Sequence, residues 1–94
     1  MRIRVKLLRK KVFKRIFYDI VLNFENEVNL ERGILFFYKN KNFFPSPLFG
    51  NGKKFYGRFS PFKRLNFVRF YIELYIEGRF YRIPERGFKY FLYF

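Results

Sequence analysis

From Phe67 to Glu77 the chain alternates without a break. Val68, Phe70, Ile72, Leu74 and Ile76 fall on one side, and Phe67, Arg69, Tyr71, Glu73, Tyr75 and Glu77 on the other. A period of two sends successive side chains to opposite faces of a strand, so this stretch is committed to a sheet with one wholly apolar face. Gly78-Arg79 then turns the chain and Phe80 to Ile83 reads as a second strand. Pro84-Glu85-Arg86-Gly87 makes another turn and Phe88 to Phe94 a third strand. The expectation over 65–94 is an antiparallel three-stranded meander. Its last strand carries Lys89 as its one charged residue, and such an edge calls for a cover.

The first 24 residues change period partway. Ile3, Val5 and Leu7 alternate with Arg2, Arg4 and Lys6, which is a short strand or extended arm. From Leu8 onward, Val12, Phe13, Ile16, Phe17, Ile20 and Phe24 share one side of a 3.6-residue wheel, and Lys10, Lys11, Lys14 and Arg15 gather on the other. That spacing predicts an amphipathic helix of roughly four turns with a basic face. Asp19 is the one acid at a favourable spacing from these cations, beside Arg15. Crowded like charges on a helix favour a polyanion opposite them.

Between these ends, Ile34 to Tyr38 reads as a short buried strand after Arg32-Gly33, closed by the polar turn Lys39-Asn40-Lys41-Asn42. From Phe43 to Phe62 the prolines Pro45, Pro47 and Pro61 forbid regular helix, and Gly50, Gly52 and Gly57 release the backbone. The expectation is an extended loop over 43–64. A long loop this rich in Phe is ordered against something. Its rings alternate with Lys53, Lys54, Arg58, Lys63 and Arg64. Cations that neutralise phosphates, beside rings that stack on unpaired bases, suit a nucleic-acid surface. The whole is then one small α+β domain over 1–94: a basic arm and helix in 1–24, the loop in 43–64 and the meander in 65–94.

Charge is distributed in blocks. Met1 to Tyr18 carries +8, Asp19 to Glu31 carries −4, Arg32 to Phe70 holds nine cations and no acid, and Tyr71 to Phe94 is nearly balanced at +1, for a formal +14. Two basic blocks parted by an acidic one define a contact surface. The chain has no His, Cys, Trp, Ala, Thr or Gln, and only Ser46 and Ser60 as serines. Without imidazole or thiolate the usual nucleophile, base and metal-ligand sets are missing. Glu73 and Glu77 could share a strand face, but no third ligand accompanies them. The reading is therefore a binder and not an enzyme, with no catalytic residue, cofactor, metal or small-molecule substrate.

No window approaches the 18 or so uninterrupted apolar residues of a spanning helix. Asp19 interrupts the first apolar stretch, and Arg69, Glu73, Glu77 and Arg79 the last. The acid-free start resembles an import peptide but contains no Ser.

Phe, Lys, Tyr, Asn and Ile, the residues of A/T-rich codons, make up 49 of the 94 positions. A short basic chain with this vocabulary resembles the ribosomal proteins encoded in protist mitochondrial genomes, ciliates above all. The stretch LYIEGRFYRI, Leu74 to Ile83, is similar to the strand-turn-strand of the large-subunit ribosomal protein L-six family. There a Gly, one residue, a second Gly, an aromatic and a basic residue follow in order. Gly78, Tyr81 and Arg82 match, Phe80 stands where the family has its second Gly, and the family's following Leu-Gly-x-Ser-His signature is not among the 94 residues.

The resemblance implies a structural constituent of a mitochondrial ribosome that binds ribosomal RNA beside neighbouring ribosomal proteins. The residues expected on the RNA are Arg2, Arg4, Lys6, Arg9, Lys10, Lys11, Lys14, Arg15, Lys39, Lys41, Lys53, Lys54, Phe55, Tyr56, Arg58, Lys63, Arg64, Arg79 and Arg82. A rival reading is a peripheral subunit of a respiratory or ATP-synthase complex, with the helix over Lys10 to Phe17 lying on anionic lipid.

Overall fold

The computed structural model describes residues 2–60 and 67–92. Among them there is no helix. Nine strands follow in order: β1 (Ile3–Val12), β2 (Arg15–Phe24), β3 (Leu30–Lys39), β4 (Asn42–Pro47), β5 (Phe49–Asn51), β6 (Lys54–Phe59), β7 (Phe67–Ile76), β8 (Arg79–Ile83) and β9 (Lys89–Leu92). Every pairing is antiparallel. One sheet has the order β1-β2-β6-β5, and the other β4-β3-β7-β8 with β9 also on β7.

The α+β expectation is thereby corrected to all-β. The predicted helix is the β1–β2 hairpin, in which Val12 pairs with Arg15 across the two-residue turn Phe13-Lys14. Residues 16–24 are apolar at nearly every position, so a period of 3.6 and a period of two both fit them. β-branched Ile16, Ile20 and Val21 and the aromatic residues favour the strand. Pairing also resolves the charge crowding: Arg9 and Lys11 go to one face of the ribbon, Lys10 to the other.

The expected loop over 43–64 is likewise β4, β5 and β6 as far as Phe59, while Lys63 and Arg64 lie outside the described residues. Pro45 and Pro47 are accommodated because β4 is an edge strand, paired among the described residues with β3 alone. Gly57 serves close approach: a Cβ there would stand 2.8 Å from Leu35 Cδ2 and 2.9 Å from Leu35 Cβ on the facing sheet.

The three C-terminal strands form where expected, but not as a meander. β8 pairs with Ile72–Ile76 and β9 with Phe67–Phe70, so both lie end to end along one edge of β7 while β3 occupies the other. Glu77-Gly78, with φ of 50° and 77°, and Asn40-Lys41, with φ of 51° and 67°, close two-residue hairpins whose twist suits the flanking strands.

The core lies between the sheets. Tyr18, Ile20, Leu22 and Phe24 of β2 and Phe55 and Phe59 of β6 face Leu35 of β3 and Val68, Phe70, Ile72, Leu74 and Ile76 of β7. Phe59 stacks on Tyr18 with ring centroids 5.4 Å apart and on Phe37 of the other sheet at 4.6 Å. Parity along each strand fixes which residues remain outside.

Candidate nucleic-acid interface

The outward face of the β1-β2-β6-β5 sheet is assembled by register. Arg4, Asn23, Lys54 and Asn51 form one cross-strand row, and Lys6, Val21, Tyr56 and Phe49 the next. Leu8, Asp19 and Arg58 follow, then Lys10 and Phe17. Opposed side chains in such rows stand about 5 Å apart, so long cations and rings form a continuous surface. Phe49 and Tyr56 are in ring contact at 5.9 Å, and the Arg58 guanidinium lies 5.8 Å from the ring centroids of both Tyr56 and Phe17. A concavity of about 440 Å3 opens between Lys10, Asp19, Lys54, Tyr56 and Arg58.

Asp19 is the one acid within these cross-strand rows and is buried. Its carboxylate accepts from Arg58 Nε at 2.7 Å and Nη2 at 3.1 Å, and Lys10 Nζ stands 3.5 Å away. The hydrogen bonds from Arg58 hold the Asp19 carboxyl below the ordinary carboxylate range, against the opposing effect of burial. The same contact raises the Arg58 guanidinium. The acid therefore anchors two cations without leaving a negative spot on the surface.

Beyond Tyr18, where pairing with β6 stops, β1 and β2 continue as a two-stranded ribbon. Arg9, Lys10, Lys11, Lys14 and Arg15 are all exposed there. Phe13 at the turn has φ 56° and is 95% exposed. Ser60 Oγ donates to the Ile16 carbonyl at 3.0 Å and ties the ribbon's base to the chain after β6. The acidic segment lies at the other end of the hairpin. Glu25 shares a recess with Arg2 and Arg4, and Glu31 accepts from the Gly78 amide at 2.7 Å.

Most of the residues expected on RNA thus fall on this sheet face or its ribbon: Arg4, Lys6, Lys10, Lys54, Tyr56 and Arg58 on the face, Arg9, Lys11, Lys14 and Arg15 on the ribbon. Arg2 flanks the face and Lys53 sits in the β5–β6 turn. Phe55 does not belong: it is a core residue, 5% exposed and edge-on to Phe24. Its parity within β6 sends it inward, together with Gly57 and Phe59. Lys39 and Lys41 sit at the β3–β4 turn, and Arg79 opens β8.

Arg82 is on the outward face of the other sheet, 4.4 Å from the Tyr71 ring centroid, with Nη1 donating to the Pro84 carbonyl at 2.7 Å. That face is a mosaic of rings packed on one another, with Phe36 stacked on Tyr71 at 4.7 Å and Phe43 against Phe88 at 4.7 Å.

The sequence reading missed Phe17, Phe49, Phe13 and the anchoring role of Asp19. The period-two pattern of Lys54, Tyr56 and Arg58 against Phe55, Gly57 and Phe59 was a usable signal for keeping Tyr56 and excluding Phe55. Phe13 had none, because Val12-Phe13-Lys14-Arg15 contains no usual turn residue. Among the described residues no group of three or more acidic side chains could hold a metal ion, and no helix is long and apolar enough to cross a membrane. The chain matches no known protein family, no curated protein and no solved structure.

Proposed function

We propose that this chain is a non-catalytic RNA-binding constituent of a ribonucleoprotein particle, and that the particle is a mitochondrial ribosome. The observation that carries the RNA reading is the outward face of the β1-β2-β6-β5 sheet with its ribbon. There Arg4, Lys6, Lys10, Lys11, Lys14, Arg15, Lys54 and Arg58 accompany Phe17, Phe49 and Tyr56, and Asp19, the acid within the rows, is paired with Arg58. Cations beside ring faces on a flat sheet suit a phosphate backbone and its unstacked bases, and RNA shape can select the site without base reading. The ribosomal assignment draws its support from the A/T-driven residue vocabulary and the +14 charge. The membrane-surface alternative loses its carrier, since Lys10 to Phe17 is a ribbon and not an interfacial helix.

The test is binding to ribosomal RNA across a salt series, with sedimentation of the endogenous protein. Six phosphate contacts to unpaired RNA give a slope of about −4 in log affinity against log salt. Comigration with ribosomal subunits at low salt and release at high salt is the expected result. Salt-independent association, or recovery in a detergent-extracted membrane complex, overturns the proposal.

A further inference from the structure

The ribbon holds a residue that the sheet-face reading does not use. Phe13 is 95% exposed at the outermost turn, and its φ of 56° belongs to the left-handed region that a bulky side chain rarely occupies. Val12 beside it is 49% exposed, so the tip offers apolar surface with no core beneath it. Lys11, Lys14 and Arg15 flank that tip in sequence and are exposed on both strands of the ribbon. An exposed ring at the end of a two-stranded arm, flanked by cations, is complementary to a polyanion that also presents flat apolar faces.

We infer that the β1–β2 ribbon is an insertion element: its cations grip phosphates on either side of an RNA crevice while the Phe13 ring stacks on an unpaired base within it. This rests on the RNA-binding reading and adds to it both the partner's class, RNA with an unpaired base flanked by helix, and the residue that finds it. A fully paired stem offers the cations their phosphates but leaves the ring without a stacking site, so the ribbon discriminates between the two.

The experiment uses the full chain and two synthetic RNA hairpins, one fully paired and one with a single bulged adenine. The wild type is expected to bind the bulged hairpin more tightly. Phe13→Ala is expected to lose about tenfold on the bulged hairpin and to be unchanged on the paired one, the scale of one lost stack. The sequence contains no Trp, so Phe13→Trp adds a single fluorescent reporter at the tip. Its emission is expected to be quenched by the bulged hairpin and not by the paired one, with the binding preference retained.

If the wild type binds RNA but Phe13→Ala keeps the full preference for the bulge, the insertion role is overturned and the sheet-face reading stands. If the wild type binds neither hairpin nor ribosomal RNA, the RNA reading itself fails. A blue shift of Phe13→Trp on phosphatidylserine–phosphatidylcholine vesicles, with no response to either RNA, assigns the tip to a lipid surface and also overturns the inference.

Discussion

Arg58 lays its guanidinium on Asp19 in a two-point grip, Nε at 2.7 Å from Oδ1 and Nη2 at 3.1 Å from Oδ2, joining β6 to β2 on the outward face of the sheet. The carboxylate is held below its ordinary value of 3.8, so the folded state favours its ionised form. Such a group contributes its full stability above the unfolded-state value, and the contribution fades as pH falls through the lower folded value. Urea melts of the wild type are expected to weaken as pH falls below about 5, and Asp19→Asn to flatten that limb while being less stable near neutrality.

Lys6 and Lys54 lie on the same outward face, and among the described residues neither side chain makes a hydrogen bond or ion pair. Lys6→Gln and Lys54→Gln are each expected to reduce the salt slope of RNA binding by about 0.7 and to leave stability within about 0.5 kcal/mol of the wild type. Binding titrations at several salt concentrations, with thermal melts alongside, check both halves.

Adjacent residues of β6 separate binding from folding. Tyr56→Ala is expected to weaken affinity for unpaired RNA by about tenfold with a small change in stability, and Tyr56→Phe to retain most of the affinity. Phe55→Ala is expected to cost about 3–5 kcal/mol of stability, because that ring fills the core. Denaturant titration and RNA binding on the same three variants give the comparison.

Gly57 and Leu35 face each other across the two sheets. Gly57→Ala is expected to destabilise by about 1–3 kcal/mol through its clash with Leu35, and Leu35→Ala by about 2–5 kcal/mol through the space it leaves. Combined, the two are expected to cost somewhat less than their sum, since Leu35→Ala removes the Cδ2 contact at 2.8 Å while the Cβ contact at 2.9 Å remains. A double-mutant cycle in urea measures the coupling.

How much of this was legible in the chain depended on how cleanly each stretch declared one period. Val68 to Ile76 and Ile3 to Leu7 alternate strictly, and both are strands. Ile16 to Phe24 is apolar at almost every position because both of its faces are covered, the inner by the core and the outer by neighbouring long side chains. That erased the polar alternation that marks a strand. Pro45, Pro47, Gly50, Gly52 and Gly57 have the look of loop punctuation in the sequence, yet the prolines occupy an edge and Gly57 a point of sheet-to-sheet contact. Both meanings depend on partners distant in sequence. The cations of the interface could be named from charge alone; their gathering onto one face, and the exclusion of Phe55 from it, required the registers of β1, β2 and β6.

Within the described residues β1 is an outer strand, with β2 as its one neighbour, and a bare strand of ten residues could recruit a second copy of the chain. Arg4, Lys6 and Lys10 repel such a copy approaching along that margin. On the proposed function, the side chains offered to the nucleic acid also oppose polymerisation of the unaccompanied protein, and a polyanion that cancels their charge would lift that opposition.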